Sequence, residues 1–210
     1  MNHTFKDSKC TECGASQDVF GNRQGLENHA YAFIHSDKDN EFKEILKMKF
    51  DVIIGNPPYQ LNVGVEKKNF AIPIYQKFVQ QAIKLNPSYV IMVTPSRWFI
   101  GGRGLDEFRS EMLNSRNLKE IVDYIDSTDC FPNVDIAGGV SYFLWDKNYN
   151  GECTIKSIEG EMVVSEMKRP LLENNTDVFI RFNKAISILR KVRAKSENSF
   201  GELVSVQTPF

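Results

Sequence analysis

The fold is decided by a short apolar run that ends in a proline corner, Phe50-Asp51-Val52-Ile53-Ile54-Gly55-Asn56-Pro57-Pro58-Tyr59. Its β-branched residues, closed by a glycine, predict a buried strand over residues 50–55. The two prolines must end that strand, because proline has no N–H group and restricts its predecessor to extended geometry. An amide side chain, rigid backbone carbonyls and an aromatic ring therefore follow one another at a strand end.

Helices and strands alternate downstream of this corner. Apolar residues recur at helical spacing over residues 73–85, and a second buried strand follows at 89–93. Short connections between alternating elements imply right-handed crossovers and a parallel sheet, so the predicted fold class is α/β. The other predicted elements are a helix at 41–48, a polar loop at 60–70, a glycine-rich turn at 101–104, a helix at 105–114, strands at 118–125 and 140–145, a hairpin across 148–151 that returns at 154–158, and a helix at 178–194.

Three candidate site segments follow the ends of predicted strands. They are the corner that begins at Asn56, the Thr94-Pro95 pair, and Phe131 in the loop 126–136. Ligand sites of parallel α/β sheets lie beyond the carboxyl ends of the strands. We therefore expect these segments to share one site.

The corner suits a planar substrate that carries an exocyclic NH2 group. The Asn56 amide oxygen and a fixed backbone carbonyl can each accept one N–H, and the Tyr59 ring can stack on a flat base. Such acceptors favour a more tetrahedral nitrogen with an available lone pair, which is complementarity to the transition state. The predicted chemistry is the in-line displacement of a sulfonium methyl group.

Residues 50–59 resemble motif IV of the adenine-N6 DNA methyltransferases of restriction-modification systems, of the gamma type. Residues 74–98 resemble the helix and strand that follow in that family, and Cys130-Phe131-Pro132-Asn133-Val134 resembles its later aromatic motif. Residues 202–210 resemble the entrance to its target-recognition domain. The resemblance implies part of a Rossmann-like methyltransferase sheet with flanking helices.

The resemblance also implies roles for particular residues. Asn56 and the Pro57 carbonyl would hold the target amino group, Pro58 would shape the corner, and Tyr59 would stack on a flipped adenine. Phe131 would pack on the other face of that base, and Arg97 is a further candidate for binding the substrate. The implied methyl donor is S-adenosylmethionine, and the implied partner is double-stranded DNA with a flipped adenine.

No cofactor-binding residue is assigned, because residues 1–49 do not resemble the family's cofactor motif. We therefore expect a fragment or one half of a split enzyme, inactive alone and completed by a separate N-terminal cofactor-binding half. The expected organisation is a polar N-terminal segment at 1–40, the base-handling part of the methyltransferase domain at 41–200, and the start of a target-recognition domain at 201–210.

The N-terminal segment has a spacing that fits a metal site. Cys10, Cys13, His29 and His35 follow the pattern C-x2-C-x15-H-x5-H, which suits a small structural zinc element. The alternative is a pair of ordinary thiols near a terminus.

Composition is ordinary for a cytoplasmic protein of 210 residues, with no signal pattern and no apolar run long enough to span a membrane. A net charge of −1 requires that any DNA-binding cations be confined to a cleft. Two other functions stay open. One is methylation of another planar amine or amide, such as a protein glutamine or an RNA base. The other is a truncated, non-catalytic chain that binds DNA or a partner through an unpaired sheet edge.

Two basic regions are also open to two interpretations. Arg97 and Arg103 are either phosphate contacts or solvated cations, and the basic helix at 178–195 either follows DNA phosphates or presents a solvated face.

Overall fold

The structure, a computed structural model, describes residues 5–11, 17, 32–35, 47–62 and 71–195. Its strands are β1 (Phe5–Lys6), β2 (Lys9–Cys10), β3 (Val52–Gly55), β4 (Gln60–Asn62), β5 (Ala71–Pro73), β6 (Tyr89–Pro95), β7 (Leu118–Tyr124), β8 (Val140–Asp146), β9 (Cys153–Glu159) and β10 (Met162–Arg169). Its helices are α1 (Tyr75–Lys84), α2 (Asp106–Asn114) and α3 (Asn183–Arg193), with single 3-10 turns at Ser96–Phe99 and Ser127–Asp129.

Six strands form one sheet in the order β10-β9-β7-β8-β6-β3. β3 and β6 are parallel, β7 and β9 are parallel, and β8 is antiparallel to both of its neighbours, β6 and β7. The predicted α/β class is confirmed, and four strands running in one direction with helices between them make the sheet Rossmann-like. The expectation of a wholly parallel sheet is wrong, because β8 inserts antiparallel between β6 and β7.

The predicted hairpin across residues 148–151 is also wrong. β9 does exist, but it pairs with β7 in parallel, and β7 separates it from β8. The real hairpin joins β9 to β10 through a turn at Gly160. β10 was not predicted from the sequence, because it is an edge strand with mostly exposed residues and no clean apolar alternation.

The segment after the proline corner is more ordered than predicted. Gln60–Asn62, expected to belong to a polar loop at 60–70, is β4 and pairs antiparallel with β5. Its Leu61 is buried in a small cluster with Cys10, Ile74 and Phe78. That burial is the physical reason for the strand, whereas residues 63–70 lie outside the described part of the chain.

The main core lies where α1 and α2 meet the sheet. α1 contributes Val79 and Ala82, α2 contributes Phe108 and Met112, and Trp98 lies fully buried among them. Each large apolar side chain buried in this way contributes roughly 1.5–3 kcal/mol. The core fixes the ends of β3 and β6 relative to each other, and these are the strand ends that carry the site.

The last helix starts later than predicted. α3 begins at Asn183 rather than residue 178, and Phe182, which precedes it, is 56% exposed. The buried guanidinium of Arg169 holds the incoming chain by donating to Asn183 Oδ1 at 3.0 Å and to the Ile180 carbonyl. Loss of water around this cation lowers the pKa of Arg169 to about 10.

Several other predictions fall on residues outside the described ranges. They include most of the helix at 41–48, nearly all of the segment 1–40, and residues 201–210. Among the described helices, none has the length and apolar character needed to cross a membrane.

Candidate active site

A cavity of about 990 Å³ lies beyond the carboxyl ends of β3 and β6. Its walls come from the corner after β3, the end of β6 and the connection between β7 and β8. The structure brings all six residues predicted for catalysis and substrate binding to this one cavity, namely Asn56, Pro57, Pro58, Tyr59, Arg97 and Phe131. Residues that sequence reasoning did not assign also line it, among them Tyr75 and residues 134–137.

The proline corner is tied to the rest of the fold by a backbone hydrogen bond at its last residue, Tyr59. The Ile74 N–H donates to the Tyr59 carbonyl at 3.1 Å, which ties the corner to the residue just before α1. Pro57 is buried, whereas Asn56 is exposed and its side chain makes no hydrogen bond to another described residue. The amide of Asn56 is therefore available to a ligand.

Tyr59 presents a neutral aromatic surface. Its ring is half-buried against the main core, and its hydroxyl has no hydrogen-bond partner in the described part of the protein. Burial, reinforced by the nearby Cys130 thiol, raises the pKa of Tyr59 to about 12. The phenol is thus uncharged throughout the physiological range.

Ser127 holds the loop that carries Phe131. Its hydroxyl donates to the Val134 carbonyl at 2.8 Å and accepts from the Ile136 N–H at 2.8 Å. Its own carbonyl accepts from the Phe131 N–H at 2.8 Å. Ser127 is buried, so these contacts fix a long loop that lacks regular secondary structure. The Ser and Asp residues at 126–129 predict a turn, but the sequence does not indicate that this turn holds a wall of the site.

A buried ion pair supports the wall behind the cavity. Asp123 accepts from Arg181 Nε at 2.5 Å, from Arg181 Nη2 at 2.8 Å and from the Ser96 hydroxyl at 2.8 Å. Ser96 lies between two cavity residues, Pro95 and Arg97, and its N–H donates to the Gly139 carbonyl at 3.0 Å. The feature of the sequence that indicates this ion pair is the carboxylate of Asp123, which lies within the apolar run of β7.

Gly139 is required where this wall meets β8. Its φ is +81°, and a Cβ there would lie 2.2 Å from the Tyr124 carbonyl oxygen. Any side chain at this position would push the β7–β8 connection away from the cavity.

The predicted metal ligands are brought together only in part. Cys10 Sγ lies 3.3 Å from His35 Nε2, and both residues are buried. Cys13 and His29 lie outside the described residues. Within the ranges that the structure covers, no group of three or more His, Cys, Asp or Glu side chains could hold a metal ion.

Comparison with known proteins identifies the family. The profile of the Eco57I restriction-modification methylase family matches residues 2–131, which is more than half of the chain. The chain therefore belongs to the Eco57I restriction-modification methylase family. It is 39% identical over 196 residues to an uncharacterized adenine-specific methylase of Mycoplasma pneumoniae, a match that covers 86% of this chain and 46% of that protein. The chain thus spans about half the length of this curated relative.

Solved structures of restriction-modification systems are also similar. A chain from a type I restriction-modification system matches 90% of this chain and 45% of its own length, with a TM-score of 0.43 and 15% identity. The type I methyltransferase subunit from Streptococcus thermophilus matches 72% of this chain and 33% of its own length, with a TM-score of 0.39 and 12% identity.

Proposed function

We propose that this chain supplies the base-binding and catalytic part of an S-adenosylmethionine-dependent adenine-N6 DNA methyltransferase of a restriction-modification system. The observation that carries the proposal is that Asn56, Pro57, Tyr59 and Phe131 line one cavity at the carboxyl ends of parallel strands. Family membership and the relationship to an adenine-specific methylase support the same chemistry.

In the proposed mechanism the cavity holds a flipped adenine between two rings. Extrusion of the base from the duplex costs a few kcal/mol, and stacking on Tyr59 and Phe131 returns roughly 1–3 kcal/mol per base. Tyr59 is suited to this because it is uncharged and half-buried. Arg97 borders the same cavity and is the proposed contact to the rest of the nucleotide.

Asn56 and Pro57 act on the amino group itself. The Asn56 amide oxygen and the Pro57 carbonyl oxygen each accept one N6 hydrogen, which directs the nitrogen lone pair away from both acceptors. Bound S-adenosylmethionine supplies an electrophilic methyl group on sulfur. Transfer of that methyl group would leave N6 cationic, and the Asn56 and Pro57 oxygens would stabilise its N–H groups until one proton leaves to solvent.

The described residues fit the base but not the cofactor. Asn56–Tyr59 supplies acceptors and a ring, whereas no described residue is assigned to the ribose or the methionine moiety. β3 pairs only with β6 among the described strands, and Ile54 on this edge is 74% exposed. Exposed apolar edges attract further strands. We therefore propose that a cofactor-binding half completes the sheet beside β3.

A methyl-transfer assay tests the function. The full-length natural protein is incubated with DNA and methyl-labelled S-adenosylmethionine, and the DNA is digested to nucleosides. The expected product is N6-methyladenine. Label in RNA or in protein glutamine, with none in DNA, would overturn the DNA substrate in favour of another planar amine or amide. No labelled product at all would favour a non-catalytic chain.

A second experiment tests the role of the β3 edge. Calorimetric titration of the 210-residue chain with S-adenosylmethionine should give no binding, and addition of a cofactor-binding half should restore it. Binding by the chain alone would contradict the proposed division of the site.

The contact between Cys10 and His35 favours one further proposal, a structural zinc ion held with Cys13 and His29. Metal analysis of the purified protein should find zinc that is lost in Cys10→Ser. If the purified protein contains no zinc and Cys10→Ser leaves its stability unchanged, the proposal is contradicted. Cys10 then serves only to pack in the small apolar cluster with Leu61.

A further inference from the structure

Two arginines differ from all the others in the described part of the chain. Six arginines donate hydrogen bonds to fixed acceptors, namely Arg109, Arg116, Arg169, Arg181, Arg190 and Arg193. The guanidinium groups of Arg97 and Arg103 form neither a hydrogen bond nor an ion pair with a described residue, although Nε of Arg97 is buried. Both of these arginines line the cavity that holds the proline corner.

Arg103 also has an unusual backbone. It lies in a run of four left-handed residues, 101–104, with φ values of +84°, +74°, +51° and +79°. The other three are glycines, which adopt this conformation without strain, whereas a residue with a Cβ disfavours it. The turn is held by the Gly102 N–H, which donates to Asp106 Oδ1 at 2.8 Å. The backbone would accept glycine at 103, so a glycine there removes the side chain without adding backbone strain.

We propose that Arg97 and Arg103 together bind a backbone phosphate of the substrate strand next to the flipped adenine. This inference rests on the proposed function and names a contact that the base-binding residues do not provide. Guanidinium groups bind phosphate oxygens through paired N–H donors, and a buried donor without a partner loses stability unless a ligand satisfies it. A phosphate satisfies Arg97 Nε, and its single negative charge is shared between the two guanidinium groups.

Local charge supports a bound anion. Asp135 is an acidic residue on the same cavity, but it forms no ion pair with Arg97 or Arg103. The chain as a whole has a net charge of −1, so it offers DNA no general basic surface. Two unpaired cations at one cavity therefore concentrate the attraction for phosphate beside the place where the base would enter.

Affinity for a DNA duplex at several salt concentrations tests the phosphate contact. Arg103→Gly removes the side chain at a position where glycine fits the backbone, so folding is retained. It should weaken DNA binding about fivefold, and Arg97→Gln about tenfold. The double variant with Arg97→Gln and Arg103→Gly should lower the slope of log affinity against log salt concentration by about 1, because the two arginines share one phosphate. Arg116→Ala is the matched control, because it removes an exposed arginine at the opposite end of the sheet.

Neutral DNA linkages identify the anion. Each phosphate flanking the target adenine is replaced in turn by a methylphosphonate, and for one of them wild type and Arg103→Gly should bind equally. Variants that bind every duplex as wild type does would overturn the inference. A second result would also overturn the inference. If the variants of the full-length protein lost affinity for S-adenosylmethionine and kept their affinity for DNA, the arginines would be assigned to the carboxylate of the cofactor. Failure of the proposed function is distinct, since wild type would then bind DNA without methylating it.

Discussion

Polar groups at the two ends of the central sheet differ in whether they have hydrogen-bond partners. At the amino end of β7, the Asn117 side chain donates to the carbonyls of Asp146, Lys147 and Tyr149 at 3.0–3.3 Å. At the carboxyl end, Asp123 and Ser127 are hydrogen-bonded, but several other buried polar atoms lack partners. All seven such atoms in the described part of the chain belong to residues at or beside that end, namely Tyr59, Tyr75, Gln76, Thr94, Arg97, Trp98 and Ser141.

This difference separates stability from function along the strands. A buried polar group without a hydrogen bond costs about 1–3 kcal/mol, so a cluster of them is retained only where something else satisfies it. Tyr59, Tyr75 and Arg97 line the cavity, so water or a ligand bound there can satisfy their polar atoms. Substitutions at the carboxyl end should therefore reduce activity, whereas substitutions at the amino end should reduce stability.

The largest effect is expected for Asn56→Ala at the carboxyl end. Removal of the amide acceptor takes away an interaction that strengthens in the transition state, so kcat should fall about 10³-fold. Asn56 is exposed and makes no hydrogen bond to a described residue, so the free energy of unfolding should hardly change. Methyl transfer and thermal unfolding are measured on the same preparation of the full-length protein. Methylation at the wild-type rate by this variant would contradict a catalytic role for Asn56.

The next effect is expected for Asn117→Ala at the amino end. Loss of the Asn117 amide, whose two N–H groups are shared among three backbone carbonyls, should lower the free energy of unfolding by about 2 kcal/mol. The rate of methyl transfer should stay at the wild-type value at a temperature where the variant is folded. Asn150→Ala is the matched control, because it removes a single exposed hydrogen bond from Arg116. A selective loss of kcat in Asn117→Ala would break the separation between the two ends.

The sequence predicted much of the carboxyl end because its signals are local. The run from Phe50 to Tyr59 combines a β-branched strand, a glycine and two prolines, and each constrains its neighbours directly. The prediction that strand ends share a site followed from the rule for parallel strands, and the corner, Arg97 and Phe131 do line one cavity. Their chemical roles stay predictions.

Non-local pairing could not be predicted in the same way. In the sheet, β7 lies between β8 and β9. β8 and β9 are nevertheless consecutive in the chain, and the turn that joins them has a sequence typical of hairpins. The Asp123–Arg181 ion pair joins residues 58 positions apart, and no periodicity in the sequence marks it. Such features depend on which surfaces meet after folding.

The smallest effect is expected for Tyr59→Phe, which keeps the stacking ring and removes only the hydroxyl. Because the pKa of Tyr59 is raised to about 12, the phenol is neutral from pH 7 to 10. Methyl transfer by Tyr59→Phe should therefore stay within about twofold of wild type over that range, whereas Tyr59→Leu should lose the roughly 1–3 kcal/mol of stacking.

The hydroxyl should instead be visible in alkaline unfolding. An acid whose pKa is raised in the folded state stabilises it below pH 10, and that contribution is lost as the pH approaches 12. Wild type should thus lose more stability than Tyr59→Phe between pH 10 and 12. A drop in methyl transfer by Tyr59→Phe at neutral pH would show instead that the unpartnered hydroxyl binds the substrate, which would extend the polar chemistry of the carboxyl end from Asn56 to Tyr59.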